Sequence, residues 1–494
     1  HADAEPVLVA ACHCAGCQTI AKREQSQSGP VIHFVNAVAE RAARQVPGAA
    51  VATNAYVWSR KPPKDLKPRD NVYIALASYE CDFGTPLAGS DHPPNASFKQ
   101  DLERWGELSG KLYIWDYGVN FHHYLMPYPN LDVLAPNARY YAEHGVAGIM
   151  SQGAWDCWYA ENAPLRQWVI ARALWNPQAD NTKLIGEFLT GYYGPAAPAI
   201  RRYIDASHQY VRDNPAWPLV IYRHTNSPHI GPSVIAPAEA ALQEADRLAA
   251  QTGDEKIIQR VRHAHMPVRY VLMKFGPGSP LWRAVEAELG RKLSAQSVAD
   301  GFLGAVADYQ INQVGEGVSG KQFFQWVAAY GKQCADGEFP RPAELKDADF
   351  AQVRLLQAGH FDRQANRLQP ADGASDGWAV RLRYGRNQLL HYLSDTNDYS
   401  PGKTYRAFMR VRGVGVADDA DGAMFTGRVG KDAEAEATLD GQTLRDGEWH
   451  TIDLGTVKPE GLGTAIRVDL LWRYRDKIQG IEIDCAWLVE QAAP

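Results

Sequence analysis

The sequence predicts a multidomain protein in which an α/β region precedes an all-β region. Short apolar strands alternate with amphipathic helices in residues 1–175, which predicts a parallel sheet or barrel. Residues 176–335 have helical periodicity, and short strands separated by Asp-Gly turns dominate residues 345–494. We therefore expect a (β/α) barrel domain, a helical extension packed on it, and an antiparallel β-sandwich.

Four short strands and the helices beside them carry the α/β prediction. The segment Val31–Gln45 has apolar residues at helical spacing and is the clearest helix of this region. Four strands are half of an eight-stranded barrel, so either the other half lies upstream of His1 or the sheet is smaller. The predicted strands are Ala50–Tyr56, Asn71–Ala77, Lys111–Trp115 and Val146–Ser151.

The later regions differ in periodicity. Helical segments such as Pro164–Trp175, Asn181–Tyr193 and Glu255–Phe275 fill the middle of the chain. After the Pro-rich linker Phe339–Pro342, alternating segments such as Thr404–Arg412 read as strands. The linker therefore marks the boundary between the helical region and the sandwich.

Composition excludes several classes of protein. The 494 residues carry a net charge of −6, which offers no electrostatic basis for binding nucleic acid. No apolar run approaches the roughly 18 residues that a membrane span needs. A P-loop, a GxGxxG turn opening a helix, GxSxG and HExxH do not occur in the sequence. The 14 Trp and 23 Tyr are a generous supply, as is common in carbohydrate-active proteins.

The most informative segment is Lys111–Tyr124, where an apolar strand ends in Trp115, Asp116 and Tyr117. The carboxyl ends of parallel strands hold the active site in (β/α) barrels. Aromatic faces beside carboxylates suit a sugar ring and the cleavage of its glycosidic bond. The alternative is a buried strand whose Asp116 caps the next turn.

Further candidate residues follow the same strand and its neighbours. A glycosidase needs two carboxyl groups facing one cavity, and several acids in these positions could contribute one. The histidine pair also admits β-elimination from a uronic acid by Tyr and His. The candidate substrate contacts are Tyr56, Glu80, Trp115, Tyr117, Asn120, His122, His123, Gln152, Trp155 and Asp156.

Two segments suggest a metal ion, although the predicted chemistry requires no cofactor. Cys12, Cys14 and Cys17 could bind a structural Zn²⁺ if a fourth ligand came from elsewhere. One disulfide with a free thiol, or reduced packing residues, are the alternatives. The Asp-rich stretch Asp372–Gly377 could bind Ca²⁺, or it is a plain turn.

The motifs together resemble the bacterial domain-of-unknown-function family 4838, whose members look like TIM-barrel glycoside hydrolases. The matching motifs cover roughly residues 1–200. They are Cys12–Cys17, Tyr56, Trp115–Tyr117 with Asn120-Phe121, Gly145–Gly153, Leu174–Pro177 and Phe188–Gly194. The resemblance implies that the four strands are strands 5–8 of a TIM-type (β/α)8 barrel. It also places Asp3 at the position of a strand-end acid, although Ala2 stands where the family usually has Asn. The resemblance implies that residues 1–175 form a catalytic-like domain, and the C-terminal sandwich resembles a carbohydrate-binding module.

We therefore expect a glycoside hydrolase-like enzyme acting on a polysaccharide or oligosaccharide, with Asp3 as general acid and Asp116 as nucleophile or base. The alternatives are a glycan-binding scaffold without activity and a polysaccharide lyase. The first half of the barrel would come from a separate segment or from a second copy of the chain. The substrate class leads us to expect a periplasmic or extracellular location.

Overall fold

A computed structural model of the protein describes residues 11–335, 337–362 and 364–491. It has mixed helical and strand content, with a parallel sheet in the first part and antiparallel sheets in the C-terminal part. The long helices before the last β-rich part are α1 (Ala15–Glu24), α2 (Ser28–Gln45), α3 (Pro93–Leu108), α4 (Leu134–Glu143), α5 (Ala163–Trp175), α6 (Asn181–Tyr193), α7 (Ala197–Asp213), α8 (Pro232–Thr252), α9 (Glu255–Phe275), α10 (Pro280–Leu289), α11 (Ala295–Asp308) and α12 (Lys321–Gln333).

The first sheet confirms the four predicted strands and their parallel arrangement. Its strands are β1 (Val51–Ala55), β2 (Val72–Ala77), β3 (Leu112–Tyr117) and β4 (Gly148–Gln152), hydrogen-bonded in that order. Because neighbouring strands are parallel and follow the chain order, their carboxyl ends meet at one edge. That edge positions the candidate site.

The two faces of this sheet are unequal. Val72, Ile74 and Leu76 are fully buried and belong to the core that also contains residues of α2 and α3. On the opposite face Tyr113 and Met150 are 38% and 49% exposed. Alternate residues of a strand point to opposite faces, so one face packs on helices and the other stays open.

A short hairpin lies between α11 and α12. Its strands are β5 (Gln313–Gly315) and β6 (Val318–Ser319), joined through Glu316 and Gly317. Sequence patterning did not predict this hairpin or helix α1, because short or weakly periodic elements carry little local signal. Helices α10 and α12 were not delimited individually, although both lie in the region predicted as helical. The hairpin reaches the carboxyl edge of the first sheet, as described below.

The described residues of the C-terminal part form two antiparallel sheets. Their strands are β7 (Val353–Gln357), β8 (Leu368–Pro370), β9 (Trp378–Leu382), β10 (Gly385–Tyr392), β11 (Tyr405–Val414), β12 (Ala423–Gly430), β13 (Ala435–Asp440), β14 (His450–Val457), β15 (Ala465–Leu470) and β16 (Gly480–Glu490). One sheet has the order β10-β15-β12-β13, and the other has β14-β11-β16-β9-β8 with β7 also paired to β16. A side chain at Gly427 would contact Ile452 and Leu454 of the facing sheet, so the two sheets pack closely.

None of the helices in the described part of the chain combines the length and the apolar character that crossing a bilayer requires.

Candidate functional site

Aromatic side chains form a continuous cluster at the carboxyl edge of the first sheet, in which Tyr117 is buried and the other rings are partly exposed. We call Tyr56, Tyr79, Trp115, Tyr117 and Tyr222 the aromatic row. Tyr56 stacks on Trp115 with ring centroids 5.9 Å apart, and Trp115 stacks on Tyr117 at 6.2 Å. Tyr79 has its ring edge toward Tyr56 and Tyr117, and Tyr222 lies 5.9 Å from Tyr79.

The strand geometry explains this alignment. Trp115 and Tyr117 are alternate residues of β3, so their side chains lie on the same face, and Tyr56 directly follows β1. The Trp115 Nε1–H donates to Gln152 Oε1 at the end of β4, at 2.7 Å. Trp115 is half-buried, so the ring is held in place and still has an accessible surface. Rings held in this way suit the apolar face of a sugar.

Asp116 lies on the other face of β3, away from the aromatic row. Its carboxylate accepts a hydrogen bond from Ser78 Oγ at 2.5 Å. Its charge acts on the buried groups Cys81 and Tyr141, which places the carboxyl on the core side of the sheet. Burial raises the pKa of Asp116 from its ordinary value of 3.8 to about 6. The predicted role of Asp116 in catalysis stays a prediction, and this geometry does not favour it.

The β5–β6 hairpin brings Glu316 to the row. Trp155 Nε1 and the Tyr222 hydroxyl each donate to one carboxylate oxygen of Glu316, both at 2.8 Å. The Glu316 amide donates to Phe121 O at 2.7 Å, which fixes the hairpin tip on the loop after β3. Sequence reasoning missed Glu316, although the Gly-Glu-Gly stretch between two valines is a turn signal that could have drawn attention to it.

Asp156 stabilises the same hairpin from the loop after β4. Its carboxylate accepts from the Tyr124 hydroxyl at 2.7 Å and from the Gly317 amide at 2.8 Å. The neighbouring Trp155 is 67% exposed. Asp156 therefore supports the hairpin, whereas Trp155 offers a free ring face beside Glu316.

Glu80 lies at the far end of the row and is paired with Arg60 at 3.0 Å. Arg60 also contacts Asp101 at 2.8 Å, so one guanidinium is shared by two carboxylates. Burial raises the pKa of Tyr56, and the charges of Glu80 and Glu316 raise it further. The negative charges of both glutamates therefore reach the row.

Asn120 and His122 connect the loop after β3 to the loop after α7. The buried Asn120 donates from Nδ2 to Arg223 O and accepts at Oδ1 from the amides of His122 and Arg223, at 3.0–3.1 Å. The His122 ring lies 4.8 Å from the ring of Tyr222 and 4.2 Å from that of His224. Asn120 therefore positions the two loops, and His122 extends the row toward the C-terminal sheets.

His123 faces away from the row, into a buried cluster with His224 and Asp362. One carboxylate oxygen of Asp362 contacts His123 Nε2 and the other contacts His224 Nδ1. Burial acts to raise the pKa of Asp362, but the two imidazoles hold it well below its usual range. We call these three residues the His-Asp-His cluster. Sequence reasoning found only His123 of the three.

A cleft of about 420 Å³ joins this cluster to Glu316. Its lining includes His224, Asp362, Glu316, Arg367 and Gln388, so it lies between the β5–β6 hairpin and the C-terminal part. Cationic, amide and carboxylate groups therefore face one space next to the aromatic row.

The three cysteines predicted as metal ligands lie together at the start of α1. Cys12, Cys14 and Cys17 are free thiols whose sulfur atoms lie within 4.8 Å of one another. The Cys14 sulfur accepts a hydrogen bond from the Cys17 amide, which lowers the pKa of Cys14 to about 7. Within the described ranges, this group and the His-Asp-His cluster are the two sets of side chains spaced to hold a metal ion.

Two further predictions concern acidic residues. Asp3 lies outside the described residues. In the Asp372–Gly377 stretch, the Asp376 carboxylate accepts from Trp326 Nε1 at 2.8 Å and from the Trp378 amide at 2.9 Å. Asp376 is therefore directed into the protein interior, where Trp326 also lies.

Comparisons with known proteins support part of the expected relationship. Residues 8–205 match the model of a family described as a domain of unknown function, DUF4838, which confirms the resemblance drawn from the motifs. No curated protein sequence matches the chain.

The solved structures that are similar to this chain include the following two. One is a family GH115 4-O-methyl-alpha-glucuronidase with specificity for decorated arabinogalactans, at 12% identity and a TM-score of 0.33. That match covers 94% of this chain, which spans 60% of the length of that structure. The other is the CBM22-1 xylan-binding domain from Paenibacillus barcinonensis, at 12% identity and a TM-score of 0.18, with 29% of this chain and 83% of that domain covered.

Proposed function

We propose that this protein binds a carbohydrate chain at the aromatic row and hydrolyses a glycosidic bond there. The observation that carries the proposal is the stacked series Tyr56, Trp115 and Tyr117 at the carboxyl edge of a parallel sheet, with Glu316 held beside it. Aromatic faces bind sugar rings through their apolar surface, and a neighbouring carboxylate can act on the bond between rings.

Glu316 is the described carboxylate best placed to act on a ligand at the row. Its two oxygens accept from Trp155 Nε1 and from the Tyr222 hydroxyl, which hold the carboxylate beside the aromatic rings. Such a group acts as nucleophile or as the base that activates water. Asp3 stays the predicted general acid, and Glu80 is held in an ion pair with Arg60.

The lyase alternative is less well supported by the row. A lyase of this kind uses a tyrosine that gives up its proton, but burial raises the pKa of Tyr117. Removing the proton of Tyr117 is therefore harder than removing that of an ordinary tyrosine. The glycan-binding scaffold differs from the hydrolase only in lacking turnover, so activity measurements distinguish the two.

We also propose that the first sheet is half of a (β/α)8 barrel. Its strand order follows the chain, all its strands are parallel, and its open face carries Tyr113 and Met150. Four further strands, from another segment or from a second copy of this chain, would cover that face. Sedimentation equilibrium, which distinguishes a monomer from a dimer, tests the second-copy alternative.

The test compares two variants with the wild-type protein. Arabinogalactan and xylan, the polysaccharides named for the two similar structures, are the first probes. Glu316→Gln keeps an acceptor oxygen, and we expect it to reduce the release of reducing ends at least about 100-fold with little change in affinity. Trp115→Ala removes the stacking surface, and we expect binding to weaken about tenfold.

Trp175→Ala is the matched control for Trp115→Ala. Trp175 is 90% exposed at the end of α5, and a helix that follows a parallel strand ends at the opposite edge of the sheet. Binding without turnover in the wild-type protein would favour the scaffold. Products absorbing in the ultraviolet would identify a lyase. Unchanged binding in Trp115→Ala would exclude the row as the binding site.

A further inference from the structure

We propose that His123, His224 and Asp362 bind one divalent transition-metal ion at the inner end of the cleft. This proposal goes beyond the proposed glycan chemistry and stands on separate residues. Its basis is the convergence of two imidazoles and one carboxylate, the outer contacts that orient them, and the open space in front of them.

The three ligands come from three segments that only the tertiary structure joins. His123 lies in the loop after β3, His224 in the loop after α7, and Asp362 shortly after β7. One ring nitrogen of His123, one ring nitrogen of His224 and a carboxylate oxygen of Asp362 all lie within 4.8 Å of one another. Separations of about 3–3.5 Å suit a common ion at bond lengths of about 2.0–2.2 Å, so small side-chain adjustments would admit one.

Outer contacts already orient both imidazoles as ligands. The Nδ1 of His123 is hydrogen-bonded to the Tyr270 hydroxyl at 2.7 Å, which leaves Nε2 directed at Asp362. The His224 ring is held between His122 and Tyr392, with centroid distances of 4.2 and 4.6 Å. Metal-bound histidines characteristically have their second ring nitrogen fixed by a hydrogen bond, as the Nδ1 of His123 is here.

The cluster is closed on one side and open on the other. Asp362 is fully buried, whereas the His224 side chain is 19% exposed and lines the cleft. The nearby cation Lys274 donates to the carbonyls of Gly359 and Phe361, so these carbonyls, and not the Asp362 carboxylate, bind its ammonium group. Three protein ligands with a free side are the arrangement of a metal site that can also bind water or a substrate.

The donor set indicates the class of ion. Imidazole nitrogen with one carboxylate oxygen suits Zn²⁺, Fe²⁺, Co²⁺ or Ni²⁺ better than Ca²⁺ or Mg²⁺, which prefer oxygen ligands. Glu316 lines the same cleft, so a bound ion would face the space next to the aromatic row. The site would therefore present a Lewis acid to a polar group of a ligand in the cleft.

The experiment uses the full chain with Cys12, Cys14 and Cys17 replaced by Ser, so that these thiols cannot bind the added metal. After treatment with a chelator, the protein is titrated with Zn²⁺ by calorimetry and with Co²⁺ by visible absorption. We expect one equivalent of each ion to bind, with Co²⁺ absorption bands typical of nitrogen and oxygen ligands.

His224→Ala is the decisive variant because His224 is partly exposed and less critical for folding than Asp362. We expect its affinity for Zn²⁺ to fall at least about 100-fold, and that of Tyr270→Phe to fall about tenfold. His450→Ala removes a histidine that contacts Asp446 on the surface at 2.9 Å, and this control should bind as the parent does.

Thermal unfolding with and without Zn²⁺ supplies a second readout for each variant. The ion should raise the unfolding temperature of the parent and of His450→Ala, but not that of folded His224→Ala. Absence of binding by the parent, or equal binding by His224→Ala, would overturn the proposal. If the parent binds the metal ion but does not cleave glycans, the metal-site proposal stands and the proposed hydrolase activity is rejected.

Discussion

Asp116 and Glu316 show how the surroundings of a carboxylate determine what it can do. Asp116 follows the most informative strand of the sequence, yet it lies on the core side of β3 with Ser78 as its hydrogen-bond donor. Glu316 comes from an unremarked turn, yet it accepts from Trp155 and Tyr222 beside the row. The position of a side chain relative to the sheet therefore matters more than its distance in sequence from a strand end.

The free energy of unfolding should depend on pH through Asp116. Because its pKa is about 6 in the folded protein and 3.8 ordinarily, the folded state binds the proton more tightly. The destabilisation from ionised Asp116 is absent below about pH 4 and grows as the pH rises to about 6, reaching about 3 kcal/mol. Asp116→Asn should remove this contribution. The free energy of unfolding of the variant should therefore increase relative to that of the wild type as the pH rises from about 4 to about 6.

Urea unfolding at several pH values between 4 and 7 measures this difference. Asp432→Asn, at an exposed position, is the control and should follow the wild type. A constant difference between Asp116→Asn and wild type would contradict the raised pKa. The same variant tests the role predicted from the sequence: retained turnover would remove Asp116 from the reaction.

At the scale of elements, the β5–β6 hairpin is the part that completes the site. Gly315 approaches the carbonyl of His122 so closely that a side-chain carbon would overlap it. The close approach lets the Glu316 amide bond to Phe121 O, and Gly317 bonds to Asp156. These contacts hold the hairpin tip against the loop after β3. The position of the tip in turn determines where the Glu316 carboxylate lies.

Gly315→Ala should displace the hairpin. We expect a loss of about 1–3 kcal/mol in the free energy of unfolding, because the added methyl group has no space, and weaker binding of glycan at the row. Gly186→Ala in α6 is the matched control, since a side-chain carbon there meets no neighbouring atom. That control should be unchanged or up to about 1 kcal/mol more stable. A stable and fully active Gly315→Ala would show that the hairpin position is not critical.

At the scale of the whole molecule, the helical part and the C-terminal sheets share buried polar contacts. Arg354 of β7 donates to Asp398 at 2.8 Å and to Phe275 O, the last residue of α9, at 3.0 Å. His391 contacts the other oxygen of Asp398 at 3.2 Å. Since the cleft is lined by both parts, these contacts also help to maintain the site.

Arg354→Met should destabilise the protein by about 3–5 kcal/mol, because Asp398 would remain buried without its main cationic partner. Arg406→Met is the control. Its ion pair with Asp453 is largely exposed, so we expect a loss below about 1 kcal/mol. Chemical denaturation of both variants measures the difference. Equal effects of the two substitutions would show that the buried pair does not connect the two parts energetically.

Local patterning was sufficient to predict the four parallel strands, many of the helices and the aromatic strand end at Trp115 and Tyr117. These features depend on residues a few positions apart, whose spacing reflects strand or helix periodicity directly. The relation to the unknown-function family also followed from motifs within single segments.

Only the tertiary structure could bring Glu316 to Trp155, 161 residues away, and Asp362 to His123, 239 residues away. Such contacts leave no local pattern, because each residue taken alone is an ordinary turn or loop residue. The face on which Asp116 lies was likewise decided by the packing of β3 against the core. The sequence by itself thus determined the strands and their aromatic ends, and long-range packing determined which acids and histidines meet there.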